Sequence, residues 1–208
     1  MQRETVLKNA EATKTRILEA ALAEFSAYGV AGSRVDRIAE KAQCNKNLIY
    51  IYFENKDGLL NAVLDQYLTG AYQDVLFDPQ DLPGYAQGVF DLVMDRPDIM
   101  RLMAWVGLEK SAAAKDSRIQ SKDVKVQQIS DKQKDGTLPE ELSPAFILTL
   151  VMSLATAWSD GSVFGPVLAS EELGDLPSLR QQIGLAVALV CGSSRRETNR
   201  QRKDLSQE

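Results

Sequence analysis

The sequence predicts an all-α protein in which an N-terminal three-helix domain precedes a larger C-terminal helical domain. Apolar residues recur at spacings of three and four along most of the chain, which is the pattern of amphipathic helices. No segment shows the sustained alternation of apolar and polar residues that marks a half-buried strand. The 208 residues are 44% hydrophobic and 25% charged, so the chain can bury a sizeable core without disulfides or metals.

The first two predicted helices are separated by a glycine. One runs over Thr13–Tyr28, and Gly29 follows it where a C-terminal cap is expected. A short second helix is predicted over 34–41. It follows Ser33, which together with Asp36 resembles a capping box and would satisfy the free N–H groups of the first turn.

The next two helices each begin at an asparagine. After a break at 42–44, Asn45 can cap a third helix over 45–51, and Asn55 can cap a fourth with a long apolar stripe. Further helices are predicted from start signals at Asp81, Pro97, Ser143 and Asp175, and a polar helix is predicted from about Ser117 to Lys134. The helix after Ser117 is polar and should be partly exposed, whereas the helix after Asp175 is apolar and ends near Gly192.

The composition excludes several kinds of catalytic and metal site. The chain has no histidine, which removes Ser–His–Asp and Cys–His nucleophile pairs and His-ligated metals. Two cysteines, Cys44 and Cys191, are too few for a zinc site and indicate no disulfide scaffold. There is no Gly-rich phosphate loop either, so we expect no enzyme and no cofactor. The polar N-terminus has no signal peptide, which predicts a cytoplasmic protein.

The charge is unevenly distributed along the chain. The net charge is −5, yet residues 1–60 carry 9 Lys and Arg against 8 Asp and Glu. A nucleic-acid-binding face would therefore lie in this first third or in the tail, 193–208. We interpret the tail as a flexible, solvated end, although it is rich in basic residues: Arg195, Arg196, Arg200, Arg202 and Lys203.

Two segments, 142–159 and 181–194, contain no charged residue, so each could either cross a membrane or form a protein interface. The longer one has 18 residues and contains a proline and several hydroxyl residues, whereas a bilayer requires about 20 mostly apolar residues. A helix that is apolar on nearly all sides is otherwise buried on all sides. We therefore predict a homodimer with a four-helix interface formed by about 144–159 and 177–191 of each copy, and no membrane association.

The second and third helices have the layout of a helix-turn-helix, in which the third helix would enter the major groove of DNA. Asn45, Lys46 and Asn47 can bond base edges or phosphates, while Tyr50 and Lys56 suit phosphate oxygens. The free N–H groups at the helix starts also favour phosphate. Periodicity alone is equally consistent with three helices that merely pack together.

The run over 13–64 resembles the DNA-binding domain of the TetR (tetracycline repressor) family of bacterial transcription regulators. The most specific parts are Phe25 with Tyr28-Gly29, Val35 with Ile38-Ala39, and above all Leu48-Ile49-Tyr50-Ile51-Tyr52-Phe53 followed by Asn55-Lys56-Asp57. Beyond residue 70 only the architecture is similar, a helical ligand-binding domain that ends in two dimerisation helices. The resemblance implies a helix-turn-helix domain over 1–60, a ligand-binding and dimerisation domain over 61–192, and the basic tail.

The resemblance also implies roles for individual residues at the DNA. Ser33 or Arg34 would contact a phosphate at the start of the second helix, the first turn of the third helix would approach phosphates and bases, and Lys56 would anchor the DNA backbone. The implied DNA-binding positions are Ser33, Arg34, Asn45, Lys46, Asn47, Tyr50 and Lys56. Tyr52 and Phe53 would pack inside the small domain.

Five positions depart from the family pattern. Gln43 replaces a usual turn glycine, Cys44 a common small apolar residue, Asn47 a frequent glycine, Leu48 a frequent small hydroxyl residue and Ile51 a frequent histidine. Leu48 and Ile51 would either contact thymine methyl groups or face the core. We interpret Cys44, in the turn, as an ordinary buried small residue.

In the family, a small molecule bound in the C-terminal domain changes the spacing of the two DNA-reading domains and releases DNA. The candidate pocket residues here share large apolar side chains: Phe90, Met94, Met103, Trp105, Phe146, Met152, Trp158 and Phe164. They would suit a mostly apolar effector, although such residues at helical spacing are more often core. We expect a homodimeric repressor of a palindromic operator. The alternative is an all-helical carrier or adaptor for apolar molecules that does not bind DNA.

Overall fold

The computed structural model describes residues 2–69, 75–109 and 115–192, and the side chains of 10–67, 75–109 and 121–192. These residues form helices and no strand, which confirms the all-α prediction. The predicted basic tail lies outside the described residues. The helices are α1 (Gln2–Gly32), α2 (Val35–Lys41), α3 (Lys46–Phe53), α4 (Lys56–Val63), α5 (Leu82–Asp95), α6 (Pro97–Leu108), α7 (Lys115–Lys134), α8 (Pro144–Thr156), α9 (Gly165–Leu168) and α10 (Leu176–Val190). A π-helical turn over Leu64–Thr69 continues α4, and a 3₁₀ turn over Ser170–Gly174 precedes α10.

The chain divides into two compact units. The first comprises Met1–Gln73 and Arg96–Arg118, and the second comprises Asp74–Asp95 and Ile119–Glu208. The first unit thus contains α1 to α4 together with α6, which returns to pack along α1. Its core is a single apolar cluster, and the largest fully buried side chains in it include Ile17, Phe25, Ile38, Ile49, Leu59, Leu60 and Leu102.

Gly29 ends the regular part of α1, as predicted. Its φ of 70° and ψ of 174° are not helical, and they turn the chain toward α2. The N-terminal end of α1 differs from the prediction, because the helix begins at Gln2 rather than near Thr13. No Gly or Pro lies between these two residues, so nothing in the chain stops the helix from continuing in that direction.

Two predicted helix caps, at Asn45 and Asn55, and two predicted helix starts, at Ser143 and Asp175, are confirmed. The side chains of Asn45, Asn55, Ser143 and Asp175 accept hydrogen bonds from backbone N–H groups two or three residues further on.

The predicted capping box at Ser33 is wrong. Ser33 is buried and its hydroxyl donates to the Val30 carbonyl at 2.7 Å, while Arg34 occupies the cap position without a side-chain cap bond. The physical reason is that Glu24 of α1 accepts the Arg34 N–H at 2.9 Å. A carboxylate from another helix therefore takes the place of the local cap.

The second unit is built mainly from α5, α8 and α10, which pack on one another. Its buried side chains include Leu82, Val89, Phe90, Ile147, Val151, Leu179, Ile183 and Val187. Over 121–134, where its side chains are described, the polar helix α7 is partly exposed, as predicted, and Ile129 and Gln133 on its inner face are buried. Among the described helices, none combines the length and the apolar character that crossing a membrane would require.

Several large apolar side chains of the second unit are exposed. On α8 and α10 these are Phe146, Leu185, Leu189 and Val190, with Leu185 61% exposed. A second group lies at and around α9 and comprises Val163, Phe164, Val167 and Leu168, each more than 70% exposed. An uncovered apolar surface of this kind is unusual for a helix that has no partner.

Candidate nucleic-acid interface

The helices α2 and α3 are joined by a tight turn. The Gln43 N–H donates to the Glu40 carbonyl at 3.1 Å, and the Cys44 N–H donates to the Ala39 carbonyl at 3.0 Å. Gln43 has a φ of 51°, in the left-handed region that glycine adopts without cost. The position where a turn glycine is usual in the family therefore keeps the conformation of a glycine although it carries a side chain.

The inner face of α3 packs on the first unit. Ile49 is fully buried, and Tyr52 and Phe53 are half-buried against the core, as the sequence indicated. Their rings also contact each other edge to face, with centroids 6.2 Å apart. These contacts fix the rotation of α3 about its axis, so the identity of the outward-facing residues follows directly from them.

The outer face of α3 and its N-terminus present Asn45, Asn47, Tyr50 and Ile51 to solvent. Asn47 and Ile51 are four residues apart and so share one side of the helix. Ile51 is 72% exposed, which places it on the outer side, whereas Leu48 is half-buried. This face combines an amide, a phenol and an apolar side chain, which are groups that recognise base edges, phosphates and thymine methyl groups respectively.

The two predicted lysine contacts are engaged within the chain. The Lys46 ammonium forms an ion pair with Asp36 of α2 at 2.8 Å, and this hydrogen bond raises the pKa of Lys46. Lys56 donates to the carbonyls of Ser33 at 2.8 Å and Ala31 at 3.4 Å. Both side chains thus hold the helix-turn-helix together in the absence of DNA.

At the start of α2, Ser33 and Arg34 differ in accessibility. The Ser33 hydroxyl is buried and bonded to a carbonyl, whereas Arg34 is exposed. Of the two residues that the sequence offered for a phosphate contact, Arg34 has the accessible charged group.

A partly buried network that sequence reasoning missed connects α1 to α2. The Glu24 carboxylate accepts from the Arg37 Nε at 2.7 Å as well as from the Arg34 N–H, and Arg37 also donates to the Gly32 carbonyl at 3.2 Å. The Arg37 guanidinium lies 4.3 Å from the centre of the Tyr28 ring. Burial alone would raise the pKa of Glu24, but these hydrogen bonds and the Arg37 charge lower it below its usual value.

A second contact joins the end of α6 to the α1–α2 connection. The Glu109 carboxylate accepts the Ala31 N–H at 3.1 and 3.3 Å, and a Cβ placed on Gly29 would lie 3.0 Å from the Trp105 ring. Trp105 and Met103, both predicted to line a ligand pocket, therefore pack within the first unit, where Met103 also contacts the apolar core.

The other predicted pocket residues lie in the second unit. Phe90 is buried, Met94 is half-buried and Phe146 is half exposed. The Trp158 indole N–H donates to the Ala169 carbonyl at 3.3 Å, and Phe164 is exposed. A cavity of about 510 Å³ is lined by residues 136–139, 141–142 and 189–192, and none of the predicted pocket residues lines it. Their role in ligand binding stays a prediction.

Comparison with known proteins gives two family matches. Residues 17–63 match the family described as "Bacterial regulatory proteins, tetR family", and residues 81–188 match "Tetracyclin repressor-like, C-terminal domain". The first match contains the whole helix-turn-helix, and the second begins before α5 and ends within α10.

Individual relatives agree with the family matches. The HTH-type transcriptional repressor SCO4008 of Streptomyces coelicolor is 35% identical over 151 residues, which are 71% of this chain and 79% of that protein. The HTH-type transcriptional repressor NicS of Pseudomonas putida is 28% identical over 53% of this chain and 56% of its own length. The solved structure of the transcriptional regulator SCO4942 of S. coelicolor has a TM-score of 0.73 at 31% identity, over 86% of this chain and 97% of that one. The chain therefore belongs to the TetR family of DNA-binding transcription regulators.

Proposed function

We propose that the chain is a homodimeric repressor that binds a palindromic operator and is released from it by a small, mostly apolar effector. The observation that carries the proposal is the outer face of α3, where polar and apolar groups suited to DNA stand exposed on a helix whose inner side is fixed by packing. Relatives described as repressors support repression. Membership in a family of DNA-binding regulators argues against both an enzyme and a carrier without DNA binding.

Within this proposal the residues of the DNA-binding face have separate tasks. Asn47 and Ile51 lie on the side of α3 that would meet base edges, since an amide pairs with adenine and an apolar side chain contacts a thymine methyl group. Asn45, Tyr50 and Arg34 would bond phosphates around them. Lys46 would exchange its Asp36 partner for a phosphate oxygen of the operator.

The proposed dimer uses the exposed apolar residues of α8 and α10. Phe146, Leu185 and Leu189 lie on the helices that the sequence assigned to the interface over 144–159 and 177–191. A second copy would bury them in a four-helix contact, and burial of apolar area is what stabilises such interfaces. The dimer would present two copies of α3 to half-sites about 34–36 Å apart, or a multiple of that distance.

The effector would bind in the second unit. Candidate residues there are Phe90, Met94, Phe146, Met152 and Trp158, while Met103 and Trp105, the other two that the sequence predicted, lie in the first unit. Release follows if the effector binds more tightly to the dimer arrangement that cannot span both half-sites.

The test is selection of genomic fragments by the purified full chain at near-physiological salt, followed by footprinting. A short palindromic footprint is expected. Asn47→Ala should then alter which bases are preferred, whereas Arg34→Ala should weaken binding to all sequences and reduce the salt dependence. Lys56 is a poorer probe because its ammonium also bonds the backbone of residues 31 and 33. Failure to enrich any fragment, with weak and uniform binding throughout, would overturn the proposal.

A further inference from the structure

A lysine lies among aromatic rings in the second unit. Lys125 of α7 donates a hydrogen bond to the Tyr85 hydroxyl of α5 at 2.7 Å. Its ammonium also lies 4.9 Å from the centre of the Tyr85 ring and 5.5 Å from the centre of the Phe77 ring. The two rings meet edge to face at 4.9 Å, so together they form an apolar wall around the charged group.

Lys125 belongs to the inner face of α7. It lies one turn before Ile129 and two turns before Gln133, both of which are buried. The Gln133 side chain has a structural role, because its amide NH₂ donates hydrogen bonds to the carbonyls of Pro139 and Leu142 at 2.6 and 2.7 Å. Within the described residues Lys125 donates to no backbone carbonyl, and its hydrogen bond goes to the Tyr85 hydroxyl.

The Lys125 ammonium has no carboxylate partner within the part of the chain that the structure describes. Three other lysines of α7 differ in this respect, since Lys122, Lys132 and Lys134 each form an ion pair with an aspartate. Burial without an anion disfavours the charged form and lowers the pKa of Lys125. A half-buried ammonium held by a neutral phenol is therefore a group for which an anion would be a favourable partner.

The Tyr85 hydroxyl completes a pair of convergent donors. The Tyr85 oxygen accepts a hydrogen bond from the Lys125 ammonium. The same oxygen lies 3.8 Å from the Met152 sulfur, which is a weak acceptor. A carboxylate at this place would accept a hydrogen bond from the ammonium, and the Tyr85 hydroxyl lies within hydrogen-bond distance of the same group. Phe77 and Met152 would flank the apolar body of the same molecule.

We propose that Lys125 and Tyr85 bind the carboxylate of the effector, which makes the effector an apolar organic acid. The inference rests on the proposed effector-controlled function and narrows its ligand class. It excludes cationic effectors at this place, because they would meet the Lys125 ammonium at close range.

The test uses calorimetric titration of the full chain with phenylacetate and octanoate and with their primary amides, phenylacetamide and octanamide. The amides keep the apolar body and remove the charge. We expect at least one acid to bind about tenfold or more tightly than its amide, since hydrogen bonds to a charged group are the strong ones. Lys125→Met should abolish this preference, while Lys122→Met, an exposed control on the same helix, should leave it unchanged.

The melting temperature of the Lys125→Met variant tests the proposal without any ligand. Lys125→Met removes a half-buried charge that has no anion, so the variant without ligand should melt at the same temperature as the wild-type chain or higher. A clear drop in melting temperature would show that Lys125 is a structural residue and would overturn the proposal. Equal affinity for acids and amides, or no binding of either acid, would also overturn it.

DNA binding by the same preparations separates this inference from the proposed function. Wild-type protein that binds its selected fragment and shows no preference for acids refutes the inference alone. Protein that binds no fragment refutes the proposed function, and the titrations still decide whether Lys125 binds carboxylates.

Discussion

Gly29 offers a sharp test of the first unit, because two independent features exclude a side chain there. Its φ of 70° and ψ of 174° lie in a region that is essentially restricted to glycine, so another residue would be strained by about 1–3 kcal/mol. A Cβ would also lie 2.5 Å from Glu109 Oε1 and 3.0 Å from the Trp105 ring, and such overpacking costs about 1–3 kcal/mol. We expect Gly29→Ala to lower the free energy of unfolding of the first unit by about 2–6 kcal/mol, the sum of the two costs.

Urea unfolding followed by tryptophan fluorescence measures this loss. The chain has 2 tryptophans, so a Trp158→Phe background leaves Trp105, which borders Gly29, as the single reporter. Gly32→Ala is the matched control, because a Cβ there would be 3.6 Å from the Tyr28 Cβ, an ordinary contact. A loss below about 1 kcal/mol for Gly29→Ala, or one equal to the control, would refute the reasoning. Adding Glu109→Ala should recover part of the steric cost and none of the backbone strain.

Three further predictions concern charge and assembly. Asp36→Asn frees the Lys46 ammonium for phosphate, so affinity for random duplex DNA should rise and its salt dependence should steepen; an unchanged slope would exclude competition by Asp36. Because the pKa of Glu24 is lower in the folded than in the unfolded chain, its stabilisation is complete above about pH 4.5 and is lost as the pH falls further. Glu24→Gln should therefore cost about 1.5–3 kcal/mol of unfolding free energy at pH 7 and progressively less as the pH falls below about 4.5, and a cost that does not change with pH would contradict this sign. Leu185→Glu should convert dimer into monomer in sedimentation velocity without changing the circular dichroism, whereas a persistent dimer would place the interface elsewhere.

Features set by neighbouring residues could be predicted from the sequence. The caps at Asn45 and Asn55 depend on N–H groups two or three residues away, and the end of α1 depends on the conformational freedom of Gly29. The packing of Tyr52 and Phe53 was implied by the family resemblance, whereas the sequence left open which side of α3 Leu48 and Ile51 face. The capping box at Ser33 failed because its competitor, Glu24, is remote in sequence and comes from another helix.

The hydrogen-bond and ion-pair partners of charged residues could not be predicted from the sequence, because they depend on which helices pack against each other. The sequence offered Lys46 and Lys56 as free cations, but Asp36 and the carbonyls of residues 31 and 33 bind them. Lys125 gave no signal at all, since a lysine on a polar helix is ordinarily solvated. Only the approach of α5 shows that its ammonium is held by Tyr85 among aromatic rings.

The inclusion of α6 in the first compact unit has a consequence for protein engineering. Ile99, Leu102 and Val106 of this helix belong to the same apolar core as Phe25 of α1, although they follow in the chain only after α5. A fragment cut after α4 would leave that side of α1 facing water. A chimera that transplants the DNA specificity of this chain onto another regulator must therefore carry α6 along with α1 to α4, or replace its side chains on the recipient with ones that fit α1.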